Sequence, residues 1–392
     1  MANSAWLTVL ALLLCGCSMN AEFGARPAET AALPGAAAGD GAAAARPVKL
    51  SGEALVSRIA FGSCLGQDGV QPIWDHVLAA QPDVFVFLGD NIYSDTADPV
   101  QLQAEYAKLG AQPGLKRLRE QSHIMATWDD HDYGTNDSGG DFPAKEMSKQ
   151  TFLDFWGVAK DSARRQTDGV YYAEVFGPPG KRVQIILLDT RYNRSPLVFQ
   201  ANPDDPQRGG RYVASTDPNA TLLGARQWAW LEEQLRVPAQ VRVIGSSIQV
   251  VNEDSSGEKW ANFPQERQRF FNLLWRSTGS FFISGDVHHA ELSMMDGNAG
   301  YPIYDLTSSS LNWSERVYRM PKRNRHRLGV EMRGDNFGLI EIDWSRTDPL
   351  IRFKIVDVDG DVMIHHKVEL SVLRESNLPW WNAGADSPDE EQ

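Results

Sequence analysis

From Phe85 to Asp95 the chain reads Phe-Val-Phe-Leu-Gly-Asp-Asn-Ile-Tyr-Ser-Asp, an apolar run that stops abruptly in a cluster of oxygen-bearing side chains. Residues 84–88 are apolar at consecutive positions, which predicts a central strand covered on both faces. Gly89 lets the backbone turn where that strand ends. In an open α/β sheet, sites form outside the carboxyl ends of the strands. Asp90 and Tyr93 lie three residues apart, so a carboxylate and a phenolate can reach one cation from a tight loop. Alone, the stretch also fits an ordinary Gly-Asp turn, and the rest of the chain has to decide between the two.

Working outward, residues 58–63 read as a first strand and 70–80 as a helix, making a βαβ unit with 84–88 whose short connection favours parallel pairing. Helices are expected over 99–109 and 113–121, then a strand over 124–128. Further strands read as 170–176, 182–189, 241–246 and 280–284, with helical periodicity at 222–236 and at 264–276, where Pro264 occupies the first turn. After Asp286 the pattern changes to short strands, including 303–306, 337–343 and 351–357. The expected fold is α/β: two mixed sheets flanked by helices in a four-layer αββα sandwich.

The chemistry becomes specific when strand ends are compared. The first ends in Phe61-Gly62-Ser63-Cys64, the second in Gly89-Asp90-Asn91-Ile92-Tyr93, the third in Trp128-Asp129-Asp130-His131-Asp132, and a late one in Ser284-Gly285-Asp286-Val287-His288-His289. One such end has an ordinary explanation, since Asp caps helices and His satisfies core hydrogen bonds. Four, each directly after an apolar run, point to a shared site. Thiolate, phenolate, carboxylates and imidazole make a mixed ligand set that suits a ferric ion beside a harder divalent cation, with Asp90 the natural bridge.

The order GSC, GDNIYSD, WDDHD, LDTR and SGDVHHAE resembles the alkaline phosphatase D (PhoD-like) family of the calcineurin-like metallophosphoesterases. The resemblance implies a ββ sandwich with a dimetal site at the carboxyl ends of the strands, and hydrolysis of phosphate mono- or diesters by a dimetal-activated hydroxide. Residue by residue it implies metal ligation by Cys64, Asp90, Tyr93, Asp130, Asp286 and His288, with Asp90 bridging. His131 would face the substrate and protonate the leaving group or stabilise the transition state. The implied cofactors are Fe(III) and Ca2+, with Mg2+, Mn2+ or Zn2+ as alternatives for the second metal.

There are departures. Family relatives supply a further His from a strand before the late element, whereas residues 241–249 contain none, leaving Gln249 nearby. Asn136 follows WDDHD closely enough to offer another oxygen. Arg191 either clamps a phosphate oxygen or forms a structural salt bridge. His289 and Glu291 are expected to support the neighbouring ligand. The twelve Trp residues read as packing, with Trp260 and Trp313 candidates for lining the site, and His365-His366 reads as the surface of a strand. The basic run Arg316, Arg319, Lys322, Arg323, Arg325 and Arg327 reads as a solvated loop or as a patch that draws anionic substrate.

Composition bounds the partners. A formal net charge of -13 argues against nucleic acid or an anionic membrane as a bulk partner, while bound cations would still admit a small anionic phosphate ester. Residues 1–17 read as a signal peptide of lipoprotein type, with Cys17 the lipid-bearing residue and the only link to a membrane, although no Lys or Arg precedes the apolar run. Residues 18–47 form an Ala/Gly/Pro-rich linker, 48–373 the catalytic domain and 374–392 a polar, acidic tail. The expected location is the periplasm or outer membrane of a Gram-negative bacterium. Cys64 alone among the three cysteines lies beyond that leader, so no internal disulfide is expected. Two other functions fit the same residues: a phospholipase D-type phosphodiesterase, and a non-catalytic surface-anchored binding protein.

Overall fold

Strand β1 (Arg58–Gly62), helix α1 (Ile73–Ala79) and strand β2 (Val84–Leu88) make the expected βαβ unit, with β1 and β2 parallel and Phe61 opposite Val86. The computed structural model describes residues 47–202, 210–296, 299–314 and 323–374. The leader, the linker up to Arg46, Arg316, Arg319 and Lys322 of the basic run, and the tail from Glu375 lie outside the described residues. The remaining N-terminal elements are α2 (Pro99–Ala111), α3 (Pro113–Gln121), β3 (His123–Thr127), the short α4 (Asp130–Tyr133) and α5 (Lys145–Phe155). After them come β4 (Tyr172–Phe176), β5 (Val183–Leu187), the hairpin β6 (Val198–Ala201) and β7 (Gly210–Val213), α6 (Gly224–Gln234), β8 (Val241–Gly245), α7 (Pro264–Leu274) and β9 (Ser280–Ser284). The chain ends in mainly antiparallel strands: β10 (Ala290–Met295), β11 (Ile303–Ser308), β12 (Arg327–Met332), β13 (Asn336–Asp343), β14 (Leu350–Asp357) and β15 (Val362–Glu369).

Two mixed sheets result. The first runs β15-β14-β13-β1-β2-β3, with β1, β2 and β3 parallel and the rest antiparallel. The second runs β12-β10-β11-β9-β8-β5-β4, with a parallel centre of β5, β8, β9 and β11. The pleat of β2 shows why its residues are apolar without interruption. Val84, Val86 and Leu88 enter the core between the sheets, together with Ile185, Leu187, Val243 and Phe281. Phe85 and Phe87 point the other way, onto Trp74 of α1 at centroid distances of 5.5 and 6.1 Å. Burying each such side chain contributes about 1.5–3 kcal/mol, and two buried faces fix both neighbours of the strand. Helices α1, α2, α3 and α5 cover the first sheet, while Trp228 and Leu231 of α6 and Phe270, Phe271 and Leu274 of α7 cover the second. This is the four-layer sandwich.

Helix starts follow local chemistry. Asp98 caps α2 by accepting from Val100 N at 2.8 Å, with Pro99 at the first helical position. α1 begins at Ile73 rather than at residue 70, because Val70 is 88% exposed and has no core to face. Among the described residues, those from Pro47 to Arg374 belong to one compact unit.

Candidate metal centre

The carboxyl ends of β1, β2, β3 and β9 converge, and each delivers its loop to the same point. The loops are interlocked by backbone bonds: Cys64 N–H donates to Gly89 O at 3.3 Å and Leu65 N–H to Asp90 O at 2.8 Å. Gly89 shows how tight the fit is. Its φ is +102°, and a Cβ there would stand 2.4 Å from Asp129 Cβ and 2.5 Å from Asp129 N. The loops after β2 and β3 therefore touch through a residue that only glycine can supply.

Within this junction the six sequence-predicted metal ligands lie in two overlapping groups. Ligand atoms of Cys64, Asp90 and His288 lie within 4.8 Å of one another. Tyr93 joins them, its hydroxyl 3.4 Å from Asp90 Oδ2 and 3.2 Å from His288 Nε2, and Cys64 Sγ is 3.5 Å from the same carboxylate oxygen. Asp90 also groups with Asp130 and His131, and Asp130 groups with Asp129 and Asp286, each set within 4.8 Å. Asp90 is thus common to a sulfur-, phenol- and imidazole-bearing side and to a carboxylate side.

The backbone is strained at these residues. Cys64 (φ 58°), Asp90 (47°), Asp286 (73°) and His288 (59°) sit in the left-handed region that side chains avoid. Asp95 and Asp137 share it at 47° and 58°, and among the described non-glycine residues the only other is Gln81. Such conformations cost of order 1–3 kcal/mol each and persist where the surroundings over-determine them. His288 N–H, for example, is pinned to Ser309 Oγ at 2.9 Å, and the same oxygen lies 3.1 Å from Cys64 Sγ.

The electrostatics fit cations. Burial, then the charges of neighbouring carboxylates, hold Asp90 and Asp286 well above the usual carboxylate range. Asp129 is raised by burial as well, although Arg191 pulls against it. Burial pushes Asp130 up too, but Arg191 and His131 outweigh it and leave this carboxylate below its usual range. Burial lifts the Cys64 thiol to about 11 and raises the Tyr93 phenol. Carboxylates crowded this closely out of water repel one another, and a multivalent cation is what relieves that repulsion and stabilises the thiolate and phenolate. Sulfur, phenol and imidazole on one side suit a softer or ferric ion, and the all-carboxylate side suits a hard one.

The other expected residues are placed as follows. His131 is 16% exposed, its Nδ1 is 2.8 Å from Asp95 Oδ1 and its ring lies 4.5 Å from that of Tyr93. Arg191 has the geometry of the salt-bridge alternative. It is wholly buried, with Nε 2.5 Å from Asp129 Oδ1 and Nη1 2.5 Å from Glu258 Oε1. A phosphate clamp needs donors that substrate can reach; Arg191 is instead the buried counter-ion of the carboxylate side. Gln249 donates to Glu291 Oε1 at 2.7 Å and Thr307 Oγ1 at 3.0 Å and is not gathered with the ligands. Asn136 is exposed and donates to Asp137 Oδ2 at 2.8 Å. His289 is buried with Nδ1 2.9 Å from Val287 O, and Glu291 pairs with Arg327 at 2.5 Å, so both brace the loop after β9. Trp260 is in the core, whereas Trp313 stacks on Tyr93 at 4.5 Å and is 49% exposed. His365 and His366 lie on β15 as expected.

Four residues of the centre went unread in the sequence. Asp129 is the first carboxylate of WDDHD and carries the same signal as Asp130. Asp95 closes the opening stretch and reaches His131. Asp137 and Glu258 group with Asp130 within 4.8 Å, and Glu258 lies in an irregular segment with no periodic signal to reveal it.

The PhoD-like phosphatase family matches residues 100–318. No curated protein sequence matches the chain. Among solved structures, that of PhoD is similar, with a TM-score of 0.60 and 17% identity over 81% of this chain and 72% of that one. The purple acid phosphatase PPD1 of yellow lupin (Lupinus luteus) seeds gives 0.57 and 10% identity over 82% of this chain and 55% of that one. GAP50, the anchor in the inner membrane complex of Plasmodium, gives 0.52 and 15% identity over 80% and 89%. At such identities these likenesses concern the fold.

Proposed function

This chain belongs to the PhoD-like phosphatase family, and from that premise we propose that it is a metal-dependent phosphatase of the alkaline phosphatase D type, hydrolysing phosphate mono- or diesters at the Asp90–Asp130 centre. The observation that carries the reading is the sharing of Asp90 between a Cys64/Tyr93/His288 group and an Asp130-centred carboxylate group. Cys64, Tyr93 and His288 would hold Fe(III), and Asp130, Asp286 and Asp129 a hard cation such as Ca2+, with Asp90 offered to both. Cations held by these residues would supply polarisation of the phosphoryl oxygens and a more nucleophilic water.

The chain's own residues supply the rest. His131 is open enough to be reached by substrate, and with Nδ1–H donated to Asp95 its Nε2 is the nitrogen left to protonate the departing alcohol. Arg191 offsets part of the carboxylate charge without touching substrate. Trp313, stacked on Tyr93, forms part of the rim over which an ester would enter. Export of the chain, with lipid on Cys17, belongs to the same reading, and loss of labelled palmitate on Cys17→Ser would test that part.

The test is the metal content of protein purified without chelator, with its visible absorption, in wild type and Tyr93→Phe. Iron plus a second metal, with a tyrosinate-to-iron band absent from the variant, is the expected result. Stoichiometric zinc would refute the iron assignment, and a metal-free protein inactive after reconstitution would refute the enzyme. Comparing a nitrophenyl monoester with its bis ester then sets ester preference.

A further inference from the structure

A cavity of about 600 Å³, whose wall is linked to the centre by hydrogen bonds, carries Arg211, Lys259, Arg267, Arg323 and Arg325 against the carboxylates Glu253 and Asp254. In a chain of net charge -13 this is a local reversal of sign. Two of the cations are matched: Arg267 Nη1 lies 3.0 Å from Glu253 Oε1 and Arg325 Nη2 2.5 Å from Asp254 Oδ1. Among the described residues, Arg211 and Lys259 hydrogen-bond only to neutral acceptors. Arg211 Nε donates to Gln200 Oε1 at 3.0 Å, and Lys259 Nζ donates to Gly257 O at 2.9 Å and Tyr212 O at 3.3 Å. Lys259 is 3% exposed, so its ammonium lies out of water on carbonyl oxygens, with Asp254 and Glu258 acting on it only through space, a costly position that a directly bound anion would offset. Arg323 adds an exposed guanidinium to the same wall.

This cavity is joined to the metal centre through one residue. Tyr212, in its wall, donates its hydroxyl to Asp137 Oδ2 at 2.6 Å, and Asp137 N–H donates to Asp130 Oδ2 at 2.7 Å. Glu258, which holds Arg191 in place, immediately precedes Lys259. We propose that the cavity is an anion subsite, taking the second phosphate of a polyphosphorylated substrate whose scissile group lies over the Asp90–Asp130 centre. Guanidinium forks and an ammonium suit phosphate oxygens, and the volume is in the range of small-molecule sites. The proposal rests on phosphoester hydrolysis at that centre.

The experiment compares full-length wild type with the double variant Arg211→Ala/Arg323→Ala, two exposed residues outside the catalytic machinery. Titration calorimetry with non-hydrolysable imidotriphosphate reads the subsite without turnover, and steady-state kinetics compare inorganic tripolyphosphate with 4-nitrophenyl phosphate. The expected result is affinity for imidotriphosphate weakened about tenfold or more. KM for tripolyphosphate should rise by a similar factor, with 4-nitrophenyl phosphate kinetics unchanged. Unchanged affinity, or equal losses on both substrates, overturns the subsite. If wild type hydrolyses no phosphate ester, the functional reading fails, and the titration alone decides whether the cavity binds phosphate chains.

Discussion

Replacing Arg191 by Met separates a counter-ion from a substrate clamp. The guanidinium is wholly buried between Asp129 and Glu258, themselves 1% exposed, and lies 3.8 Å from Asp130. Methionine fills much of the volume but takes the guanidinium away from Asp129 and Asp130 and leaves Glu258 with Arg194 at 3.7 Å as its remaining buried partner. Removing one partner of a buried ion pair costs about 3–5 kcal/mol, because the charge left behind is neither solvated nor matched. A domain of this size unfolds with an entropy of roughly 0.7 kcal/mol/K, so the expected fall in Tm is about 4–7 °C. Arg191→Lys, which keeps the charge but not the fork to two carboxylates, should recover part of that loss. Calorimetric unfolding of metal-loaded protein gives the Tm, and KM for 4-nitrophenyl phosphate is read on the same samples. A Tm within about 1 °C of wild type together with a large rise in KM would refute the counter-ion assignment and restore the clamp.

Asp95→Asn removes the carboxylate that holds His131 Nδ1 at 2.8 Å; kcat should fall about 10–100-fold, with KM and metal content near wild type, and an unchanged kcat would mean that His131 needs no such orientation. Gly89→Ala forces a Cβ to within 2.4 Å of Asp129 at a φ of +102°, whereas Gly180→Ala has φ +87° and nothing within 4 Å. Both should lose the roughly 1–2 kcal/mol of a left-handed residue, so metal content and activity should collapse only in Gly89→Ala, and equal behaviour of the two would contradict the interlocked loops. Asp189, buried and accepting from the backbone N–H groups of Val170, Arg191 and Tyr192, is pushed up to about 6 by burial. The folded chain therefore holds that proton more tightly than the unfolded chain, and wild type loses this contribution as pH rises from about 4 to 6. Asp189→Asn, which does not titrate, should be destabilised most near pH 4 and less by pH 7 in denaturant titrations; a deficit that grows with pH would show the sign to be wrong.

What was legible in the sequence was the part whose cause is local. An apolar run that stops at Gly-Asp states where a strand ends and what stands there, and four repetitions placed Cys64, Asp90, Asp130 and Asp286 at one edge of the fold. Elements with weaker local causes were missed. Helix α5, Lys-Glu-Met-Ser-Lys-Gln-Thr-Phe-Leu-Asp-Phe, has no capping side chain and buries Lys149 whole, its ammonium donating to Thr167 O at 2.7 Å, so its apolar face is thin in one-dimensional pattern. The hairpin β6–β7 is half-exposed and pairs only with itself. Glu258 and the burial of Arg191 are properties of packing: nothing in residues 255–259 or 189–191 announces that these two side chains will meet at 2.5 Å.

The conformational and the electrostatic stress of this fold fall together on Asp90 and Asp286, although they arise from different physics. Positive φ is a steric matter, decided by Cβ against the backbone, and would be relieved at Cys64, Asp90, Asp286 and His288 by glycine. Crowding of Asp90, Asp129 and Asp286 is a matter of charge, and would be relieved by any neutral residue of similar size. A chain shaped only to fold has no reason to hold side chains that are costly on both counts. The two sheets bear that stress because their cores are buried on both faces of β2 and do not depend on the loops. A rigid pair of sheets with strained, acidic strand ends is stable enough to carry a site that a cation completes, so the ligand residues and not the core are where substitution should trade stability against function.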